Sequence, residues 1–181
     1  MAMGDLATDL FGLGRAEKAL EVLKNLFALK GNRFSYEFGL LAEMDGNPAG
    51  FLSSYPGWKM RSLEIRMAKQ LLTIYSIPEI FRFLTNILPF VGIREAESDE
   101  YFINAVSVIP ELRGHGIGSS LLLNAEKKAK DMGLDKCSLC VEEGNEKARS
   151  LYEHLGYRVA DLISIRRSRK IYRLYRMVKE L

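Results

Sequence analysis

The sequence predicts an α/β (α+β) fold, and three observations carry that expectation. Runs with helical spacing alternate with short β-branched runs along 181 residues. Asp45-Gly-Asn-Pro48 sits between two strand-like runs and is a hairpin turn signal. A glycine-rich loop joins a β-branched strand end to an amphipathic helix between Val108 and Leu122. With 48% hydrophobic residues, a chain of this length suits a single domain, 1–181, with a proper core.

Taken in order, residues 1–14 hold Gly4, Gly12 and Gly14 and little periodicity, which suits irregular structure or a short helix. From Arg15 to Leu29, Ala16, Ala19, Leu20, Leu23, Leu26 and Phe27 share one side of a helix that Gly31 ends. Phe38 to Met44 and Ala49 to Ser54 are the two hairpin strands. Residues 58–92 are helical in pattern, broken near Pro78 and again before Pro89. Their apolar residues, Tyr75, Ile80, Phe81, Phe83, Leu84, Leu88 and Phe90 among them, need a cover. Tyr101 to Val108 is a strand, Gly116 to Met132 a helix ended by Gly133, and Cys137 to Val141 a strand. Asn145 caps a helix that Gly156 closes. Two strands follow, from Tyr157 to about Ile165 and from Ile171 to about Lys179.

Composition excludes several classes. The apolar stretch from Leu71 to Ile93 is interrupted by Pro78, Glu79, Arg82, Asn86 and Pro89, a poor membrane span. No basic-then-apolar leader is present, so the expectation is a soluble, cytoplasmic protein without a membrane partner. The net charge of +3 is too small to point to nucleic acid. It is uneven, with a basic cluster at Arg166 to Lys170, where a solvated hairpin tip or a docking patch for an acidic partner or for RNA would serve. Cys137 and Cys140 form a single CxxC, but residues three apart on a strand face opposite ways, so they are expected in the core with no metal bound.

The glycine loop carries the chemistry. Gly114, Gly116 and Gly118 alternate, and the helix after them directs its positive end at the same spot, beside Arg113. That is an anion site, and a phosphate-bearing ligand suits it. A P-loop needs a Lys after its last Gly, but Ser119 and Ser120 stand there. A dinucleotide fingerprint needs a third Gly where Leu121 or Ser119 stands.

Arg113, Gly116 and Gly118, within the Val-x-Pro-Glu-x-Arg-Gly run, resemble instead the acetyl-coenzyme A loop of the GNAT N-acetyltransferase superfamily. Roughly thirty residues on, Asn145, Ala148, Leu151, Tyr152, Gly156 and Tyr157 resemble that family's second motif, with a helix and a strand between. The resemblance covers about residues 34–181. It implies a GNAT fold, with a central mixed, mostly antiparallel twisted sheet splayed at the family's fourth and fifth strands. Helices would lie on both faces, and residues 58–92 would be an insertion between the third and fourth strands. Such an insertion would flank the acceptor end of the site or make a homodimer surface. The family's first strand has no good candidate before Arg15; residues 5–11 form it poorly or it is lost.

The resemblance further implies an acetyl-CoA-dependent N-acetyltransferase acting on a primary amine, with no metal. Val106, Ser107 and Val108 would line the pantetheine arm. Arg113, Gly114, His115, Gly116, Ile117, Gly118 and Ser119 would hold the pyrophosphate, and Asn145 would contact the arm or brace the wall. Tyr152 maps onto the family's general acid. Glu100 lies where the histone-acetyltransferase branch places its glutamate base, although Glu97, Ser98, Asp99 and Glu100 also suit a solvated strand entrance. The ribosomal-protein branch has its glutamate where Cys140 stands here. Other functions within the same fold are an acyl-CoA sensor without turnover and an acetyltransferase for aminoacyl-tRNA.

Overall fold

The computed structural model describes residues 4–167 and 170–181. Its helices are α1 (Gly4–Leu10), α2 (Ala16–Ala28), α3 (Met60–Ile74), α4 (Ile77–Ile87), α5 (Ile117–Asp131) and α6 (Glu146–His154). The strands are β1 (Gly39–Met44), β2 (Asn47–Pro56), β3 (Tyr101–Val108), β4 (Lys136–Glu142), β5 (Arg158–Arg167) and β6 (Lys170–Glu180). They form one mixed sheet in the order β1-β2-β3-β4-β6-β5. The β1–β2, β2–β3 and β4–β6 pairs are antiparallel, and β3–β4 is parallel. The hairpin between β1 and β2 turns at Asp45 and Gly46, both at positive φ (52° and 75°), as a type I′ turn requires.

Residues 4–10 are helical, so no strand precedes α2 among the described residues. The family's fourth and fifth strands are therefore β3 and β4. Leu6, Ala7, Leu10 and Phe11 are buried, at the spacing of one helix face. Glycines on both sides and the shortness of the segment hide that pattern in the sequence.

The chain divides into two compact units. Of the described residues the first comprises 4–38, 60–93, 165–167 and 170–172, and residues 60–93 share a core with the N-terminal helices. Ala7, Leu10 and Phe11 meet Val22, Leu26, Met67, Leu71, Tyr75 and Phe83. Burying each of the larger side chains contributes about 1.5–3 kcal/mol. Tyr75 donates to the Phe11 carbonyl at 2.6 Å, and burial raises its phenol pKa. Asn32, wholly buried, closes α2: its Nδ2 donates to the carbonyls of Leu26 and Leu29, and its Oδ1 accepts from the Phe34 amide. The cover expected for the insertion reaches Tyr75 and Phe83 but leaves Phe81, Leu84 and Leu88 exposed.

The second unit comprises residues 39–59, 94–164 and 173–181. In it α5 packs on β2 and β3, with Leu121, Leu122, Ala125 and Ala129 meeting Leu52, Tyr101, Ile103, Leu139 and Met177. Cys137 lies in this core and Cys140 is half-buried; neither is in a disulfide, and burial pushes the Cys137 thiol up to about 12. Among the described residues no three His, Cys, Asp or Glu side chains gather as metal ligands. No helix among them is long and apolar enough to cross a membrane.

Candidate active site

The second unit holds all the candidate site residues. Strand β3 begins paired to β4, with Tyr101 opposite Cys137, Phe102 opposite Ser138 and Ile103 opposite Leu139. The register ends there. On the β2 side, the partner of Ser53 is Ala105 and that of Ser54 is Ile103, so Asn104 is an extra residue on β3. A bulge of this kind bends its strand and increases the local twist. Its position, one residue past the last β3–β4 pair, accounts for the parting of the two strands. Val106, Ser107 and Val108 keep their pairing to Leu52, Phe51 and Gly50 on one edge. Their other edge is not paired to β4. Val106 and Val108 are half-buried and Ser107 is exposed.

The chain then turns through a short 3-10 segment, Pro110–Leu112. Arg113 folds back so that its Nε donates to the Val108 carbonyl at 3.2 Å, tying the loop to the strand end. His115 Nδ1 lies 3.3 Å from the Leu112 carbonyl; as the oxygen can only accept, the nitrogen carries the proton in that contact. Gly114 and Gly116 have φ of 84° and 78°, where a side chain would be strained. Gly116 is the N-cap of α5 and gives it no side-chain cap. The first helical bond runs from the Ser120 amide to the Gly116 carbonyl at 2.9 Å. The amides of Ile117, Gly118 and Ser119 thus project from the helix start without intrahelical acceptors.

Helix α6 begins differently. Asn145 is its N-cap, and the side-chain Oδ1 accepts from the Ala148 amide at 3.2 Å. This fixes the helix that carries Leu151 and Tyr152. A Cβ on Gly118 would lie 3.5 Å from Leu151 Cδ2 and 3.7 Å from Val108 Cγ2, so the start of α5, the middle of α6 and the end of β3 meet at one point. Tyr152 is half-buried, its ring edge-on to that of Tyr157 with centroids 6.1 Å apart. Burial raises its phenol pKa, so the proton is retained well beyond neutrality.

Glu100 sits away from that meeting point in the chain, at the paired end of β3. It is 3% exposed, and its neighbours Ser98 and Asp99 are exposed, so the solvated entrance ends before it. Its Oε1 is bonded to Arg176 of β6, and its Oε2 accepts from the Glu97 amide at 2.9 Å. Its carbonyl accepts from the Gly57 amide at 2.7 Å, and the neighbouring Glu97 carbonyl leaves no room for a Cβ at Gly57. Both carboxylate oxygens are engaged.

Two residues of this site escape a reading of the sequence. Asn104 leaves one faint trace, a polar residue of low strand preference within an otherwise apolar run. Arg176 leaves none, since it stands 76 residues from Glu100. Within the first unit, Arg167 and Lys170 of the basic cluster both pair with Asp9, at 3.6 and 2.7 Å, and so are not free for a polyanion. Ser168 and Arg169 of that cluster lie outside the described residues.

A family model described as "Acetyltransferase (GNAT) family" matches residues 3–157. Solved structures with the same fold include an N-acetyltransferase from Staphylococcus aureus Mu50, 21% identical, covering 97% of this chain and 94% of that one, with a TM-score of 0.69. Another is a protein described as an acetyltransferase, 23% identical over 98% and 94%, with a TM-score of 0.63. A third is a putative acetyltransferase from Salmonella typhimurium with its cofactor acetyl-CoA, 17% identical over 79% and 64%, at 0.51. At these identities the neighbours show the fold, and the family match over most of the chain shows the membership. The chain belongs to the GNAT acetyltransferase family.

Proposed function

We propose that this chain is an acetyl-CoA-dependent N-acetyltransferase. It passes an acetyl group to a primary amine of a small molecule, peptide or protein by direct attack in a ternary complex. The observation that carries this reading is the meeting of the glycine loop, the end of β3 and the Tyr152 helix at Gly118. A donor with a pyrophosphate at one end and a peptide-like arm at the other suits that surface. The acetyl-CoA bound to the Salmonella neighbour is such a donor and supports the same choice here.

In this reading the amides of Ile117, Gly118 and Ser119, with Gly114, His115 and Gly116 shaping the loop and Arg113 beside it, hold the pyrophosphate. The edge of β3 at Val106, Ser107 and Val108 accepts the arm as an added strand. A backbone N–H there polarises the thioester carbonyl. The amine nitrogen attacks the carbonyl carbon; the C–N bond forms as the C–S bond breaks. Tyr152 gives its phenolic proton to the departing sulfur, and the amine loses its own to water. Asn145 holds α6 so that Tyr152 keeps its place. The engaged oxygens of Glu100 favour a bracing role over that of a free base.

Release of the coenzyme A thiol, measured against a panel of amines, N-terminal peptides and aminoacyl-tRNA, tests the proposal. Turnover with at least one primary amine is expected. Tight acetyl-CoA binding with no turnover on any acceptor would assign the chain to a sensor instead.

A further inference from the structure

Helix α4 is apolar on two faces. Ile80, Phe83 and Ile87 turn into the core of the first unit. On a separate face stand Ile77, Phe81 and Leu84, continued just beyond the helix by Leu88 and Val91, and all five are between 53% and 72% exposed. Their spacing of four, three, four and three residues is that of a heptad seam, which keeps one stripe facing a partner helix. A helix apolar on both faces is expected to be covered on both.

We infer that this seam is the contact between two copies of the chain, α4 against α4 in antiparallel register about a two-fold axis. At these exposures, five side chains of this size offer about 500–600 Å² per copy, which brings the pair to roughly the lower edge of specific protein interfaces. The seam is self-complementary: Phe81 and Leu84 lie near its middle, so each would meet the other's counterpart, and Ile77 would meet Leu88. The charged side chains of α4 do not oppose the contact. Glu79 is turned to Arg15 and Lys18, and Arg82 donates to the Leu13 carbonyl. The flank of the seam carries Pro78 and Thr85, which are neutral. Antiparallel pairing also places the positive end of each helix dipole beside the negative end of the other.

Sedimentation of the full chain between about 1 and 100 µM reads the inference, the weak end of that range being reasonable for an interface of this size. The expected result is a monomer–dimer equilibrium. Leu84→Arg would put two like charges at the middle of the seam, so it should leave a monomer with unchanged far-UV circular dichroism. Ile65→Arg, at an exposed apolar residue of α3 outside the seam, should leave the dimer intact. In a Cys140→Ser background, Ile77→Cys and Leu88→Cys proteins mixed under mild oxidant should form the mixed disulfide, each losing one thiol hydrogen to the oxidant. Neither protein alone should cross-link. A monomer throughout the concentration range overturns the inference. So does a dimer that survives Leu84→Arg. Seam-dependent binding of the monomer to phosphatidylcholine vesicles would give the face to a lipid surface and overturn it equally.

Discussion

At the closed end of the β3–β4 pair, Tyr101, Phe102 and Ile103 are matched one to one with Cys137, Ser138 and Leu139. Beside them a buried carboxylate, Glu100, is locked to a partly buried guanidinium, Arg176. A few residues further on, past the bulge at Asn104, β3 runs on unpaired to β4, into a loop whose glycines hold left-handed conformations. One end pairs its backbone strand to strand and the other leaves backbone donors to be met from outside. The contrast teaches that a splayed sheet needs both. An open edge recruits a ligand only if the hinge beneath it holds the opening angle. The Glu100–Arg176 bond links the start of β3, across β4, to β6, and so braces that hinge.

The largest expected effect is at the closed end. Arg176→Ala leaves Glu100 buried with one amide donor, and breaking a buried pair in this way costs about 3–5 kcal/mol. For a chain of this length that lowers Tm by about 10 °C in a thermal melt. Combining Glu100→Gln with Arg176→Met should recover much of the loss, because a neutral pair leaves no unmet charge. If Arg176→Ala left Tm unchanged while abolishing turnover, Glu100 would belong to the chemistry and the two ends would not differ as described.

At the open end the effect should be on rate. If Tyr152 is the proton donor as proposed, Tyr152→Phe should lower kcat by about 10- to 1000-fold, at or below the usual range for a general acid, with little change in acetyl-CoA affinity. The phenol of Tyr152 has its pKa raised above 10 by burial, so its acid form is present throughout the neutral and mildly alkaline range. The wild-type rate should therefore decline only above about pH 10, and that alkaline limb should vanish in the Phe variant. An unchanged rate would remove Tyr152 from the mechanism.

How much of this was legible in the sequence follows from the range of each signal. The start of α5, the cap at Asn145 and the turn at Asp45-Gly46 are local, written in a few consecutive residues, and each stands where expected. The bracing of Glu100 depends on a partner in another strand, which no short-range pattern encodes. In α4 the periodicity marks two apolar faces, and nothing within the helix says which meets the core. Phe83 is buried and Phe81 exposed because α1, α2 and α3 lie on one side only. Helix α1 was obscured because Gly4 and Gly12 frame a segment of only seven residues, too short for periodicity to stand out.

The smallest effect separates two glycines of the open end. Gly116 has a φ of 78° and open space where a Cβ would be, so Gly116→Ala meets no clash but carries the left-handed strain of about 1–2 kcal/mol. That variant should lower Tm by a few degrees and weaken acetyl-CoA binding together. Gly118 is the second residue of α5, has no positive φ, and a Cβ there would rest at ordinary contact distance from Leu151 and Val108. On the fold alone, Gly118→Ala should be neutral or stabilise the helix by up to about 1 kcal/mol. If the amide of Gly118 closes on a pyrophosphate, however, the new methyl group stands in the approach. Acetyl-CoA affinity, read by calorimetry, should then fall several-fold while Tm holds or rises. Opposite signs in stability and binding at one residue are what a glycine kept for a ligand predicts. A variant that gained stability and kept its affinity would make Gly118 a packing residue only, and would move the anion-binding amides to Ile117 and Ser119.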